Sequence, residues 1–309
     1  RAKILACRKE YATALAEING VLAANDTILK ALKVRERIYD LTGEKEKAAA
    51  DREVIFRLKP DDPYAHHQLF RVHLEENNYE AALQEINLCL KALPDDITFL
   101  LNKSKLLFDM KRYGEAIFPL NAAQQLQPDN DTILHFQSVI YYELGQLEKA
   151  ITCAAQAVQK NPQNMVANYL LFDLYMKNKQ QKEAGQVLNT YLTINPRDTI
   201  FLWKRAELNK YSGKTSEALK DLNTLLELDN FYEALIMRGH IYRGQQKYQA
   251  AINYYSKAIN FHPEFADCYL FRADCYEILG NKTKACENWK KACALSSREG
   301  CNLLKSACN

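Results

Sequence analysis

The residues best suited to covalent chemistry crowd one end of the chain. Six of the nine cysteines fall in the last 42 residues: Cys268, Cys275, Cys286, Cys293, Cys301 and Cys308. They form three pairs, and the members of each pair are seven residues apart. On a helix that spacing is two turns, about 10 Å, too far for a disulfide within one helix. Between antiparallel helices, facing positions keep a constant sum. This rule pairs Cys268 with Cys293 and Cys275 with Cys286, or else Cys293 with Cys301 and Cys286 with Cys308. The two arrangements compete for Cys286 and Cys293, and the sequence does not choose between them. The competing reading is a set of small apolar core thiols, as at Cys89, whose slot holds Ala123 and Ala157 in later repeats. Zinc is disfavoured, because seven-residue spacing is unlike usual zinc ligation.

Other chemistry is thin. His66, His67 and His73 raise the question of a metal, but His66 and His73 are two helical turns apart and would need a third ligand between them. No Ser/His/Asp set, glycine-rich phosphate loop or CxxC motif is present. The carboxylate pairs Asp61–Asp62 and Asp95–Asp96 recur at equivalent turns, where the expected role is helix capping. Neither catalysis, a cofactor nor a metal is expected.

What positions these residues is a repeated element. Pro60, Pro94, Pro128, Pro162 and Pro196 stand 34 residues apart, and twelve residues before each lies Ala48, Ala82, Ala116, Ala150 or Ala184. A strict period of this length marks a solenoid, in which each unit buries its apolar face against its neighbours. The register gives repeats at 29–62, 63–96, 97–130, 131–164, 165–198, 199–231, 232–265 and 266–299. A partial repeat precedes them at 1–28, and a capping helix follows at 300–309. Asn230 holds the proline slot of the shortened sixth repeat. Each unit has apolar residues at helical spacing on both sides of a turn, marked by Gly43, Gly145, Gly213 or Gly280, which predicts two helices per repeat in one continuous all-α array. The net charge of +3 is too small over 309 residues to imply nucleic acid. No run approaches the roughly 18 apolar residues of a membrane span. The chain starts at Arg1 inside a helical pattern, with no initiator Met or signal-like segment, so upstream sequence is expected.

The period, the alanine and the terminal proline resemble the tetratricopeptide repeat (TPR) over residues 1–299. Aromatic slots also recur, at Tyr39, Tyr141, Tyr175, Tyr242 and Tyr276 and at Tyr79, Tyr113 and Tyr248. The match departs where a small residue is expected twelve before the alanine. Gly239 and Ala273 fit, whereas Phe70, Phe172 and Glu36 do not. The resemblance implies a right-handed superhelical solenoid whose concave groove is lined by the second, fifth, ninth and twelfth residues of each repeat. Those slots are basic at first (Lys30, Lys33, Arg37, His67, Arg71, Lys105), then aromatic (Phe108, His135, Tyr142, Tyr169, Met176, Trp203). They end largely acidic, at Glu207, Glu233, Asp267, Asp274 and Glu277, with Lys210 and Arg243 as exceptions. The expected ligand is an extended peptide or partner subunit, with Trp203 the foremost anchor. Some family members clamp a C-terminal carboxylate with lysine and asparagine in the fifth and ninth slots of one repeat. That pair is absent here, which disfavours such a receptor.

The segment from Ala285 to Cys308 resembles the C-terminal caps of TPR proteins from Bacteroidetes-type bacteria, many of them exported. It implies a disulfide-stapled end and a periplasmic or envelope location; the alternative is the cytoplasm. The expected function is a non-enzymatic protein-binding scaffold or adaptor in a multiprotein assembly. The alternative is the repeat arm of an enzyme whose catalytic domain precedes residue 1.

Overall fold

A computed structural model describes residues 2–228 and 232–308. Among them are nineteen helices and no strand. They fall into two compact units, Arg1–Lys160 and Asn161–Asn309. The first unit holds α1 (Ala2–Cys7), α2 (Tyr11–Ala24), α3 (Leu29–Thr42), α4 (Lys45–Leu58), α5 (Pro63–Glu75), α6 (Tyr79–Ala92), α7 (Ile97–Asp109), α8 (Tyr113–Leu126), α9 (Asp131–Glu143) and α10 (Leu147–Lys160). The second holds α11 (Met165–Lys177), α12 (Gln181–Ile194), α13 (Thr199–Tyr211), α14 (Thr215–Leu228), α15 (Tyr232–Gly244), α16 (Tyr248–Phe261), α17 (Ala266–Ile278), α18 (Lys282–Ala294) and α19 (Arg298–Ala307). Asn230 lies outside the described residues.

Local chemistry fixes where the helices start and stop. Asp62, Asp96, Asn130, Asn164 and Asp198 cap α5, α7, α9, α11 and α13, each accepting a backbone N–H with its side-chain oxygen. Each stands two residues after a proline of the ladder. Within the hairpins the turn needs a left-handed residue. Gly43, Gly145, Gly213 and Gly280 supply it at φ 71–81°, and Asn77, Lys111, Lys179 and Gln246 adopt it at φ 57–60° in the remaining repeats.

The core runs between the paired helices. Ala48, Ala82, Ala116, Ala150, Ala184, Ala218, Ala251 and Ala285 are all fully buried. The slot twelve residues earlier is less uniform. Ser104 and Ser138 close it by donating to the carbonyls of Ala116 and Ala150 at 2.8 and 2.7 Å. Phe70 and Phe172 are buried there despite their bulk. Glu36 is fully buried; Tyr64 Oη donates to it at 2.8 Å and Arg52 Nε lies 3.4 Å away. Burial pushes its carboxyl above the usual range, against the pull of Tyr64 and Arg52.

A recurrent arginine clasp also joins neighbouring second helices. Arg35 donates to both carboxylate oxygens of Asp51, sixteen residues on, and to Asn19, sixteen back. Arg205 does the same with Asp221 and Asn189. Arg272 takes Asn288 and Ser256, and Arg238 takes Tyr254 and Asn223. The planar, five-donor guanidinium suits a group that must hold two elements at once.

The cap differs from expectation at its start. α19 begins at Arg298, two residues before the predicted boundary, because Ser297 Oγ accepts the Gly300 N–H at 3.2 Å. Gly300 is buried against α18, where an added Cβ would sit 2.8 Å from the Ala292 Cβ. Leu303, Leu304 and Ala307 pack onto a cluster around the buried Trp289.

Candidate interaction surface

In the first unit, several of the sequence-predicted site residues tie one first helix to the next. Lys33 meets Asp62 at 2.6 Å and lies 5.1 Å from the centre of the Tyr64 ring. Arg71 meets Asp40 at 2.9 Å. His67 Nε2 is 3.0 Å from Asn102 Nδ2, and its ring stacks on Phe70 at 5.8 Å. Burial holds the His67 imidazole below its ordinary pKa, with Arg71 and Arg37 adding to the effect. The expected basic end is therefore partly neutralised within the array. Lys30, Arg37 and Lys105 remain exposed, with no ion-pair partner among the described residues.

The aromatic slots divide in the same way. Phe108 is half-buried and packs on Tyr113 and Phe136 at 5.2 and 5.6 Å. His135 is half-buried and its Nδ1 has no hydrogen-bond partner; burial lowers its pKa. Tyr142 is half-buried. In the second unit Tyr169 is 40% exposed, with its ring 6.3 Å from Phe201 of α13. Val166 and Ile200, in the second slots of α11 and α13, are 55% and 48% exposed. Met176 and Trp203 are half-buried. Two adjacent first helices thus present Val166, Tyr169, Ile200 and Trp203, an apolar strip richer than its two aromatics alone indicate. Charged residues on the same two helices form local pairs, Asp173 with Lys177 and Lys204 with Glu207, and farther along the unit Arg243 of α15 meets Asp274 of α17.

The cysteines resolve the competition left open by spacing. Cys286 is bonded to Cys308 and Cys293 to Cys301, with Cα atoms 5.8 and 4.5 Å apart. Cys293–Cys301 joins α18 to α19, and Cys286–Cys308 joins α18 to the C-cap residue of α19. Cys268 and Cys275 are corrected from disulfide candidates to free thiols. They point from α17 into two core clusters, and burial pushes both thiols up to about 11.

The histidines have separate partners. His66 Nδ1 is 2.6 Å from Glu85, and His73 Nδ1 is 3.4 Å from Glu76. Among the described residues no group of three or more His, Cys, Asp and Glu is placed to hold a metal, and no helix is long and apolar enough to cross a membrane. Sequence reasoning missed the arginine clasp. Its signal was present: Arg35, Arg205 and Arg272 each precede an Asp or Asn by sixteen residues.

Two family models match the chain. The N-terminal TPR-repeat region of Psidin matches residues 69–208, and a single tetratricopeptide repeat matches residues 232–265. Among solved structures, the C-terminal part of a TPR repeat-containing protein from Cytophaga hutchinsonii is similar with a TM-score of 0.64 at 17% identity, covering 76% of this chain and 98% of that one. YrrB, described as a TPR protein with an unusual peptide-binding site, is similar with a TM-score of 0.50 at 18% identity, covering 60% of this chain and 97% of that one. No curated protein matches the sequence. At these identities the likeness is one of fold: helical hairpins in series.

Proposed function

Because the chain belongs to the tetratricopeptide-repeat family, we propose that it is a non-enzymatic scaffold that seats an extended segment of a partner protein on the first helices of its second unit. The observation that carries this reading is the strip on α11 and α13, where Val166, Tyr169 and Ile200 stay 40–55% exposed beside Trp203. Exposed apolar side chains grouped on one face are the usual mark of a protein contact. The charges on the same two helices are already matched in pairs, so the strip supplies affinity and those pairs supply register. YrrB shows that the fold can carry a peptide-binding site.

Tyr169→Ala and Ile200→Ala each remove an exposed side chain and leave the alanine-lined core untouched. Peptides selected from a random display library against the wild-type chain should bind each variant about tenfold more weakly or worse, as expected for a central contact. Circular dichroism should stay unchanged. If selected peptides bind both variants as tightly as the wild type, the strip is not the binding face.

The two disulfides suit an oxidising compartment, and we propose a bacterial periplasm or envelope as the location. Fractionation of the native source tests this placement. Recovery in the soluble cytoplasmic fraction with Cys286 and Cys293 fully alkylated before reduction would overturn it.

A further inference from the structure

One repeat lacks the arginine clasp yet keeps both of its acceptors. The clasp position in α5 is Leu69, and sixteen residues on either side stand Glu53 and Glu85. Leu171 also replaces the arginine, but there the residue sixteen on is the apolar Val187. Only at Leu69 does a leucine stand between two carboxylates.

Beside Leu69 a cavity of about 510 Å3 opens between α4 and α5. Ala49, Phe56, Leu69 and Val72 form its apolar part, and Glu53 and Glu76 stand on its wall. The other charges around it have ion-pair partners within the chain. Lys45 meets Glu75 at 2.6 Å, Arg71 meets Asp40 at 2.9 Å, and Arg52 Nε lies 3.4 Å from the buried Glu36. Glu85 is held by His66. Glu53 is exposed and has no ion-pair partner among the described residues, while Glu76 meets only His73. An apolar trough ending at an unmatched carboxylate fits a side chain with an aliphatic stem and a cationic, planar head.

We propose that this cavity is a socket for an arginine side chain of a partner protein, which passes over Phe56 and Leu69 and lands on Glu53, in the place that Arg35, Arg205, Arg238 and Arg272 fill in their own repeats. The socket goes beyond the groove reading, since none of its apolar residues belongs to the groove slots, and it lies wholly in the first unit.

The probe is the peptide Ac-Gly-Arg-Gly-NH2, titrated into the isotope-labelled full chain and followed by backbone amide shifts. Saturable shifts are expected at Phe56, Leu69 and Val72. The citrulline peptide, of equal shape but uncharged, should bind about tenfold more weakly or worse, because the charge-assisted contact is lost. Glu53→Gln alters only an exposed side chain and should weaken the arginine peptide by a similar factor. Leu69→Arg should abolish binding by filling the socket from within. Tyr169→Ala should leave it unchanged, which separates this site from the groove. Equal binding of the arginine and citrulline peptides, or full affinity in Glu53→Gln, would overturn the socket. Methylguanidine saturating the site as tightly as the peptide would assign it to a free cation and overturn the partner reading.

Discussion

At the scale of single residues, His240 shows how a groove slot can serve the fold. It sits on α15 with Nδ1 3.0 Å from Tyr255 Oη and its ring 4.5 Å from Phe271. Burial, reinforced by Lys210 and Arg243, lowers its pKa from 6.5 to about 4. The folded chain therefore holds this imidazole neutral where the unfolded chain would protonate it. The stability that follows is fully present above pH 6.5 and is lost as pH falls towards 4, because the unfolded state takes up a proton that the folded state refuses. Below about pH 4 both states carry the proton and the dependence ends. Urea melts of the wild type should weaken across that window, and His240→Gln should flatten the slope. A variant with the wild-type slope would locate the proton uptake elsewhere.

At the scale of elements, the helix pairs meet through residues whose size is fixed by the backbone distance between them. A Cβ at Gly239 would lie 2.4 Å from a ring carbon of Tyr255, and Tyr255 is fully buried, so the ring has nowhere to move. Gly239→Ala should destabilise the second unit by about 1–3 kcal/mol through overpacking. Gly244, at the end of the same helix, has nothing within 4 Å of an added Cβ, and Gly244→Ala should stabilise by about 0.4–1 kcal/mol. Paired denaturant melts decide between this contrast and a uniform cost for removing helix glycines. These contacts also show what the sequence made legible. The alanine, the proline and the turn glycines are local devices that recur in register, so helix order and hairpin pairing could be read from spacing. The tolerance of Phe70 and Phe172 in a small-residue slot could not, since it depends on what the facing helix gives up. Lys33 and Arg71 were assigned to the groove from slot number alone. Asp40 lies in the repeat before that of Arg71, and Asp62, the last residue of the repeat that holds Lys33, caps the first helix of the next; a slot count carries neither pairing.

At the scale of the whole molecule, each compact unit is a series of hairpins whose stability comes from nearest neighbours. The last hairpin has a neighbour on one side only, and α19 with its two bridges to α18 supplies the other. Spacing had narrowed these bridges to two arrangements. The choice turned on which face of α17 carries Cys268 and Cys275, and that face is the core. Closing loops of this length is worth about 2–4 kcal/mol per bridge, chiefly by restricting the unfolded chain. In a nearest-neighbour array that contribution stays near where it is made. Reduction, or the double substitution Cys286→Ser and Cys308→Ser, should speed amide hydrogen exchange in α18 and α19 by at least about tenfold. The effect should diminish through α17 and leave residues 2–160 at their wild-type rates. Loss of protection spread evenly over the chain would show instead that the two units and their hairpins unfold as one body. Unchanged exchange in α19 would show that Leu303 and Leu304 hold the cap without help from the bridges.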